Sequence, residues 1–395
     1  MKDLFAKFKE FTRPAEYKAK GIYPYFHCLE SRQAKEVTME GKRRIMLGSN
    51  NYLGLTTCDE VISAASAALD KYGTGCSGSR FMNGTLDLHV ELEDELAGFL
   101  HKEAITTFST GFQSNLGIIS SVVGRNDYVI CDRENHASIY DGCKLSYGTM
   151  LRYHHSDMKE LETMLKKVPE TAGCLIATDG IFSMRGDICK LPDIVELAKK
   201  YGARILVDDA HALGVIGEGG RGTANYFGLE NEVDMYMGTF SKSLASLGGY
   251  LASTKEVSDY VRHTSRPFMF SASLPPANAA SALSALRYLE NHPELPDKLM
   301  AIANYTRETF KAHGIEIVQA NTPIVPIYTK QAEYTLKLAR NLFDAGVYVN
   351  PVLPPATPEG ECLLRVSLMA TVTEDLIDEA ADIIASEIKK LDAEN

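Results

Sequence analysis

The sequence predicts an α/β fold, a mostly parallel sheet covered by helices on both faces, followed by a smaller C-terminal α+β region. Three observations carry this. Short apolar runs at 128–131, 175–178, 204–207, 234–237 and 249–252 alternate with helical patterns, as strands joined by crossover helices do. After about residue 285 the pattern changes to shorter strands, loops and helices. The chain is also long, 395 residues with 45% hydrophobic and 24% charged, enough for about two to three domains and a large core.

Taken in order, residues 1–50 read as an N-terminal arm. Leu4, Phe5, Phe8 and Phe11 fall on one helical face with Lys2, Lys7, Lys9 and Arg13 nearby. Such a face packs on the body or on a second subunit, or touches a membrane surface transiently. Residues 51–285 form the large domain. Within it Leu88, Leu92, Leu96 and Phe99 make a helical stripe of core residues, with Thr85 or Asp87 as the expected cap. Residues 286–395 form the small domain: a helical segment through 304–310, strands near 315–318 and 324–328, and a helix over 334–343. A strand at 347–349, a proline-rich loop at 351–358, a strand at 363–368 and a helix from Glu374 complete it.

Composition narrows the partners. A net charge of -11 argues against nucleic acid, whose phosphates are gripped by surplus Lys and Arg, and leaves room for a local basic patch around an anionic cofactor. No apolar run approaches the roughly 18 to 20 residues that span a bilayer, and no signal peptide is evident. Eight cysteines without a C-x-x-C read as reduced thiols, mostly core, of a cytoplasmic protein.

The chemistry centres on Lys242, in Gly238-Thr239-Phe240-Ser241-Lys242-Ser243, which lies 31 residues after His211 of Val207-Asp208-Asp209-Ala210-His211. An acid ending an apolar strand, a His three residues on and a lysine among small hydroxyl residues point to a Schiff-base cofactor, pyridoxal 5'-phosphate. An amine holds an aldehyde only when unprotonated, so the site must depress the lysine pKa. Asp208 would pair with a protonated pyridine nitrogen and keep the ring electron-poor. His211 would sit near the ring hydroxyl.

Thr107-Phe108-Ser109-Thr110-Gly111-Phe112-Gln113-Ser114-Asn115 opens a helix after a strand, and helix amino termini bind phosphate through free N–H groups. The cofactor phosphate is therefore assigned to the amides of Gly111 and Phe112, with hydroxyls from Thr239 and Ser241. The chain has no tryptophan, so His136, in Asn135-His136-Ala137-Ser138, is the flat partner for the ring. Ser183 lies on the loop after the adjacent strand and could hydrogen-bond the cofactor. Arg365 interrupts an apolar strand, where a guanidinium needs an anion such as a substrate carboxylate, although a structural salt bridge would serve equally. His136, Asp179, Asp208 and Thr239 all follow strand runs and are expected to converge, since sites in such sheets gather at strand carboxyl ends.

Two segments, from Gly73 to Gly78 and from Gly217 to Gly222, satisfy G-x-G-x-x-G, but neither sits between a strand and a helix as a dinucleotide fingerprint requires. His154-His155 has no acidic or cysteine companion at ligand spacing, so no metal is expected.

Read together, Ser49-Asn50-Asn51-Tyr52-Leu53-Gly54-Leu55, Asn135-His136-Ala137-Ser138, Asp208-Asp209-Ala210-His211 and Gly238-Thr239-Phe240-Ser241-Lys242-Ser243 resemble the α-oxoamine synthases. The resemblance covers nearly the whole chain. It implies a fold-type I pyridoxal phosphate transferase with a seven-stranded sheet, a homodimer with active sites at the subunit interface, and decarboxylating condensation of an amino acid with an acyl-CoA. It also places Ser271 or Ser273 on the partner subunit's cofactor phosphate and Asn50, His136 and Arg365 at the substrate. The segments 79–89 and 350–356 are similar to the branch that uses serine and a long-chain acyl-CoA. Several residues of 80–89 are shared with the branch that uses glycine and acetyl-CoA. Many family members carry Glu where this chain has Asp209, a residue not expected to touch the ring.

Overall fold

The computed structural model describes residues 1–394. Its strands are β1 (Glu36–Met39), β2 (Lys42–Met46), β3 (Ala104–Phe108), β4 (Tyr128–Asp132), β5 (Thr149–Tyr153), β6 (Cys174–Asp179), β7 (Arg204–Asp208), β8 (Met235–Thr239), β9 (Gly249–Ser253), β10 (Ile327–Lys330), β11 (Val347–Tyr348), β12 (Asn350–Val352) and β13 (Cys362–Arg365). Seven of them form the main sheet in the order β3-β9-β8-β7-β6-β4-β5. From β8 to β5 all neighbours are parallel, whereas β9 runs antiparallel to both β8 and β3.

The parallel strands are buried on both faces. Val129, Cys131, Leu175, Ala177 and Leu206 belong to one apolar cluster, and the alternating Ile130, Ile176, Ile205 and Val207 to another on the opposite face. That is why they read as continuous apolar runs. Strand β5 escapes such a reading because it is an edge strand, mostly solvent-facing, with the mixed sequence Thr-Met-Leu-Arg-Tyr.

Before residue 50 the structure differs from a simple arm. β1 and β2 form a hairpin about Glu40 and Gly41, both at positive φ (51° and 69°), the backbone of a two-residue turn matched to strand twist. β2 then pairs in parallel with β11, so the start of the chain shares a sheet with its end. Of the expected partners of the amphipathic face, the chain's own body is ruled out: the first helix covers only Ala6–Lys9, and Leu4, Phe5, Phe8 and Phe11 are all exposed, touching no core of their own chain. The next helix, Arg13–Ala19, begins afresh with a proline in its first turn.

Three smaller expectations change. The N-cap of the helix Asp87–Phe99 is Leu86 rather than Thr85 or Asp87, although Asp87 Oδ1 accepts the first-turn N–H of Leu88 at 2.9 Å. Thr85 Oγ1 donates to Arg80 O, and His89 Nδ1 instead accepts from the N–H of the N-cap Leu86 at 3.1 Å. The strand expected at 315–318 is one bridge, Ile317 to Ile327, and that expected at 324–328 is the shifted β10. Pro351 lies within β12 rather than in a loop, where β12 is an edge strand and a missing N–H is tolerated. The C-terminal sheet has the order β10-β13-β12 and is flanked by Leu295–Ala312, Ala332–Ala345 and Glu374–Glu394.

Candidate active site

Because β4, β6, β7 and β8 point the same way, their last residues share one edge. Asp179 pairs in register with Asp208, and Asp208 with Met237. Beyond this edge opens a cavity of about 960 Å³ lined by Asn50, His136, Ser183, His211, Lys242 and Arg365, with an apolar wall including Val352, Leu353 and Pro354. Of the residues expected to converge, His136, Asp179 and Asp208 meet at this edge, and Asn50 and Arg365, 315 positions apart, are brought together beside them.

Lys242 lies just past β8 and is partly buried. Burial pushes its pKa down to about 8, helped by the positive charge of Arg365 and opposed by Asp208 and Asp179. A much larger share of free amine is present near neutrality than in an ordinary lysine. Asp208 is buried, accepting from Asn115 Nδ2 on Oδ2 at 2.7 Å and from the Ala210 N–H on Oδ1 at 2.9 Å. Neither donor is a cation. Asp179 beside it has its pKa raised, first by burial and then by the charge of Asp208, and it accepts the His136 N–H at 2.8 Å.

His136 is the N-cap of Ala137–Leu145 and its ring is exposed to the cavity. Nδ1 meets Ser138 Oγ at 2.7 Å, and the ring stands edge-on to Phe112 with centroids 6.2 Å apart. Its pKa is lowered by desolvation first, with Lys242 adding and Asp208 opposing. His211 is buried, its Nδ1 2.7 Å from the Tyr52 hydroxyl. Burial and then the neighbouring cations Lys242 and Arg365 hold it well below the usual imidazole range, so it is neutral.

At the other pole Gly111 opens the helix Gly111–Val122, capped by Thr110. A Cβ on Gly111 would stand 2.9 Å from Thr239 Cβ and Oγ1, so only glycine lets β8 approach so closely. Thr239 Oγ1 donates to Gly248 O at 2.8 Å and lies 2.9 Å from Ser241 Oγ, which leaves the exposed Ser241 as the freer hydroxyl. Ser271 Oγ accepts from Gln113 Nε2 at 3.1 Å, whereas the buried Ser273 gives its hydroxyl proton to Gly78 O at 3.0 Å.

Arg365 is buried at the end of β13 and makes three hydrogen bonds: Nε to Ser183 O, Nη1 to Asn50 Oδ1 at 2.9 Å, and Nη2 to the Tyr52 hydroxyl at 3.2 Å. None of these partners is an anion. A desolvated cation facing a cavity without a carboxylate of its own can take one from a ligand.

Sequence reasoning gave no role to Asn115, Tyr52 or Ser138, and placed Asp179 at the converging strand ends without assigning it one. Asn115 and Tyr52 lay inside segments singled out for other residues. Their signal, a polar side chain in a buried helix or strand-end position, is visible only once the burial of those positions is known.

A seven-stranded, mostly parallel sheet with a lysine after one strand, an acid ending its neighbour and a small C-terminal domain is the fold of the fold-type I transferases. The chain belongs to the aminotransferase class I and II family, which it matches over residues 42–384. It is similar to serine palmitoyltransferase of Sphingobacterium spiritivorum, with 50% identity over 392 residues, 99% of this chain and 98% of that protein. A solved structure of SPT with PLP superposes with a TM-score of 0.96 at 36% identity, covering 99% of this chain and all of the other. An 8-amino-7-oxononanoate synthase of Thermoanaerobacter pseudethanolicus is 41% identical over 366 residues, 92% of this chain and 93% of that protein.

Proposed function

We propose that the protein uses pyridoxal 5'-phosphate to condense L-serine with a long-chain acyl-CoA such as palmitoyl-CoA. The products are 3-ketosphinganine, CoA and carbon dioxide, the first step of sphingolipid synthesis. The observation that carries this is the pairing, in one cavity, of a depressed-pKa lysine with a buried arginine that lacks an anion of its own. Full-length similarity to serine palmitoyltransferases supports the choice of substrates over that of an 8-amino-7-oxononanoate synthase, which is less similar.

The residues fit the cofactor. Asp208 is a buried carboxylate with two neutral donors and room for a cationic partner, which a pyridinium N–H would be. Lys242 would hold the aldehyde carbon, His136 would lie against the ring face, and His211 and Ser183 would meet the ring's polar edge. The Gly111 and Phe112 amides, with Thr239 and Ser241, would hold the phosphate. Pyridoxal phosphate bound there supplies an electron sink for a carbanion.

The chain's own residues then do the rest. Arg365, steered by Asn50 and Tyr52, grips the serine carboxylate. Lys242 Nζ, once freed by the incoming amine, removes the proton from serine Cα. His136 orients the same carboxylate from the opposite wall, and the apolar wall of Val352, Leu353 and Pro354 receives the start of the acyl chain. With the cofactor bound, the deprotonated carbon would attack the thioester carbonyl and displace CoA as thiolate; the carboxylate gripped by Arg365 would leave as carbon dioxide, and the proton held on Lys242 Nζ would return to the same carbon.

We further propose a homodimer. Phe81, Met82, Phe112 and Phe270 are exposed on the segments around the phosphate pole, and a second copy would cover them. Ser271, whose hydroxyl proton is not committed, is then the better donor to the partner's phosphate. A cytoplasmic location, with at most transient membrane contact through the exposed Leu4, Phe5, Phe8 and Phe11, completes the reading; among the described residues no helix is long and apolar enough to cross a membrane. The deciding assay is CoA release from serine, glycine or alanine with acetyl-, succinyl- or palmitoyl-CoA. Serine with palmitoyl-CoA should turn over fastest; a preference for glycine with acetyl-CoA would move the chain to glycine C-acetyltransferase.

A further inference from the structure

Behind the loops that line the cavity, His155 is held between two carboxylates. Its Nδ1 lies 3.1 and 3.2 Å from the two oxygens of Asp132, and its Nε2 lies 2.8 Å from Asp187 Oδ2. A carboxylate can only accept, so both ring nitrogens must carry a hydrogen and the ring is an imidazolium. A neutral ring would turn a lone pair onto one of the acids. Burial alone would lower the pKa, but the two carboxylates outweigh it and hold the group at about 10.

Each acid belongs to a turn that lines the site. Asp132 ends β4, accepts the Glu134 N–H at 2.8 Å and the Ser156 N–H at 2.9 Å, and thereby shapes the turn that delivers Asn135 and His136. Asp187 closes the small loop bridged at Ile181 and Ile188, its carbonyl taking the Phe182 N–H at 2.9 Å. That loop carries Ser183, whose carbonyl accepts from Arg365. The Phe182 ring stands against the imidazole, with centroids 4.4 Å apart at 80°. Asp187 Oδ1 has no hydrogen-bond partner among the described residues, so the imidazolium is what holds that carboxylate.

We propose that His155 is a positioning residue for the amino-acid end of the active site. It is a fixed internal cation that sets the separation between the turn carrying His136 and the loop carrying Ser183, on which Arg365 leans. The assignment rests on serine binding between His136 and Arg365. The charged and titratable groups that face this arrangement are Asp132, Asp187, Asp179, Tyr153, Tyr140, Cys131, Cys189 and Arg185. Arg185 is itself paired with Glu134 at 3.4 Å and with Glu361, so His155 is the cation that joins Asp132 to Asp187.

The test uses holoenzyme, wild type and Asp187→Asn. Ring NMR of labelled histidine should show His155 remaining an imidazolium between about pH 6 and 9 in wild type, and losing a proton within that range in the variant. Calorimetric titration with serine should give a variant to wild-type Kd ratio near one at about pH 6.5, rising to roughly tenfold at about pH 8.5 as the strut discharges. Equal ratios at both pH values would overturn the proposal, as would a wild-type ring that titrates near the ordinary 6.5 or so. If the variant does not fold, the wild-type titration decides, a midpoint below about 8 being fatal. Failure of wild type to bind serine while binding another amino acid would overturn the substrate assignment instead and leave the ring titration standing.

Discussion

Replacing Arg365 by Gln tests the substrate end of the site and separates two roles for a buried arginine. In a structural ion pair, removing the cation strands a carboxylate and costs about 3–5 kcal/mol of stability. Arg365 has no such partner: its hydrogen bonds go to the Ser183 carbonyl, the Asn50 amide oxygen and the Tyr52 hydroxyl. The substrate-free enzyme should therefore lose little, with Tm within about 4 °C of wild type, since roughly 1 kcal/mol moves a domain of this class by 2–4 °C. Serine binding should suffer far more. Losing a charge-assisted carboxylate pair costs about 3 kcal/mol, or roughly a hundredfold in Kd. Calorimetry with serine and thermal melts of the same preparations read both quantities. A large drop in Tm with serine affinity unchanged would show that Arg365 is structural and would refute its assignment to the substrate.

Lys242, with its pKa pushed down to about 8, reacts as free amine, so reconstitution of apoprotein with pyridoxal phosphate should quicken from pH 6 to 8 and level off above; a rate still climbing tenfold per unit beyond about pH 9 would mean an unperturbed lysine. Asn115→Leu removes a donor 2.7 Å from Asp208 Oδ2 and should lower kcat roughly 10- to 100-fold with cofactor content retained, read by turnover and absorbance. Glu93 is buried and receives Arg80 through both Nη atoms at 2.8 and 3.0 Å; burial raises its pKa, but the arginines Arg80 and Arg262 hold it below the ordinary carboxylate value. The stability that pairing supplies is complete above the unfolded carboxylate pKa and is lost as pH falls through the lower folded value, and Glu93→Gln should cost on the order of 3 kcal/mol at neutral pH by chemical denaturation.

What could be read without coordinates was the set of residues whose identity the chemistry dictates. Asp208, His211 and Lys242 stand at separations set by two consecutive strands of one sheet, and a carboxylate and a primary amine are the groups expected to pair with a pyridinium and to hold an aldehyde. The parallel strands were equally plain, because burial on both faces writes itself as an apolar run. The edge strand β5 and the β1–β2 hairpin were not, since a half-exposed strand shares its composition with a loop. The same distinction runs through the site. His155 was weighed only as a metal ligand and set aside for want of acids at ligand spacing, yet its two acids lie 23 and 32 residues away and come together through strand packing. Asn115 and Asp208 meet across 93 residues in the same manner. Groups that touch the cofactor are constrained by its chemistry and leave a motif. A group that holds another in place is constrained only by distance, so any residue of suitable charge and length satisfies it, and a linear pattern carries no trace of the choice.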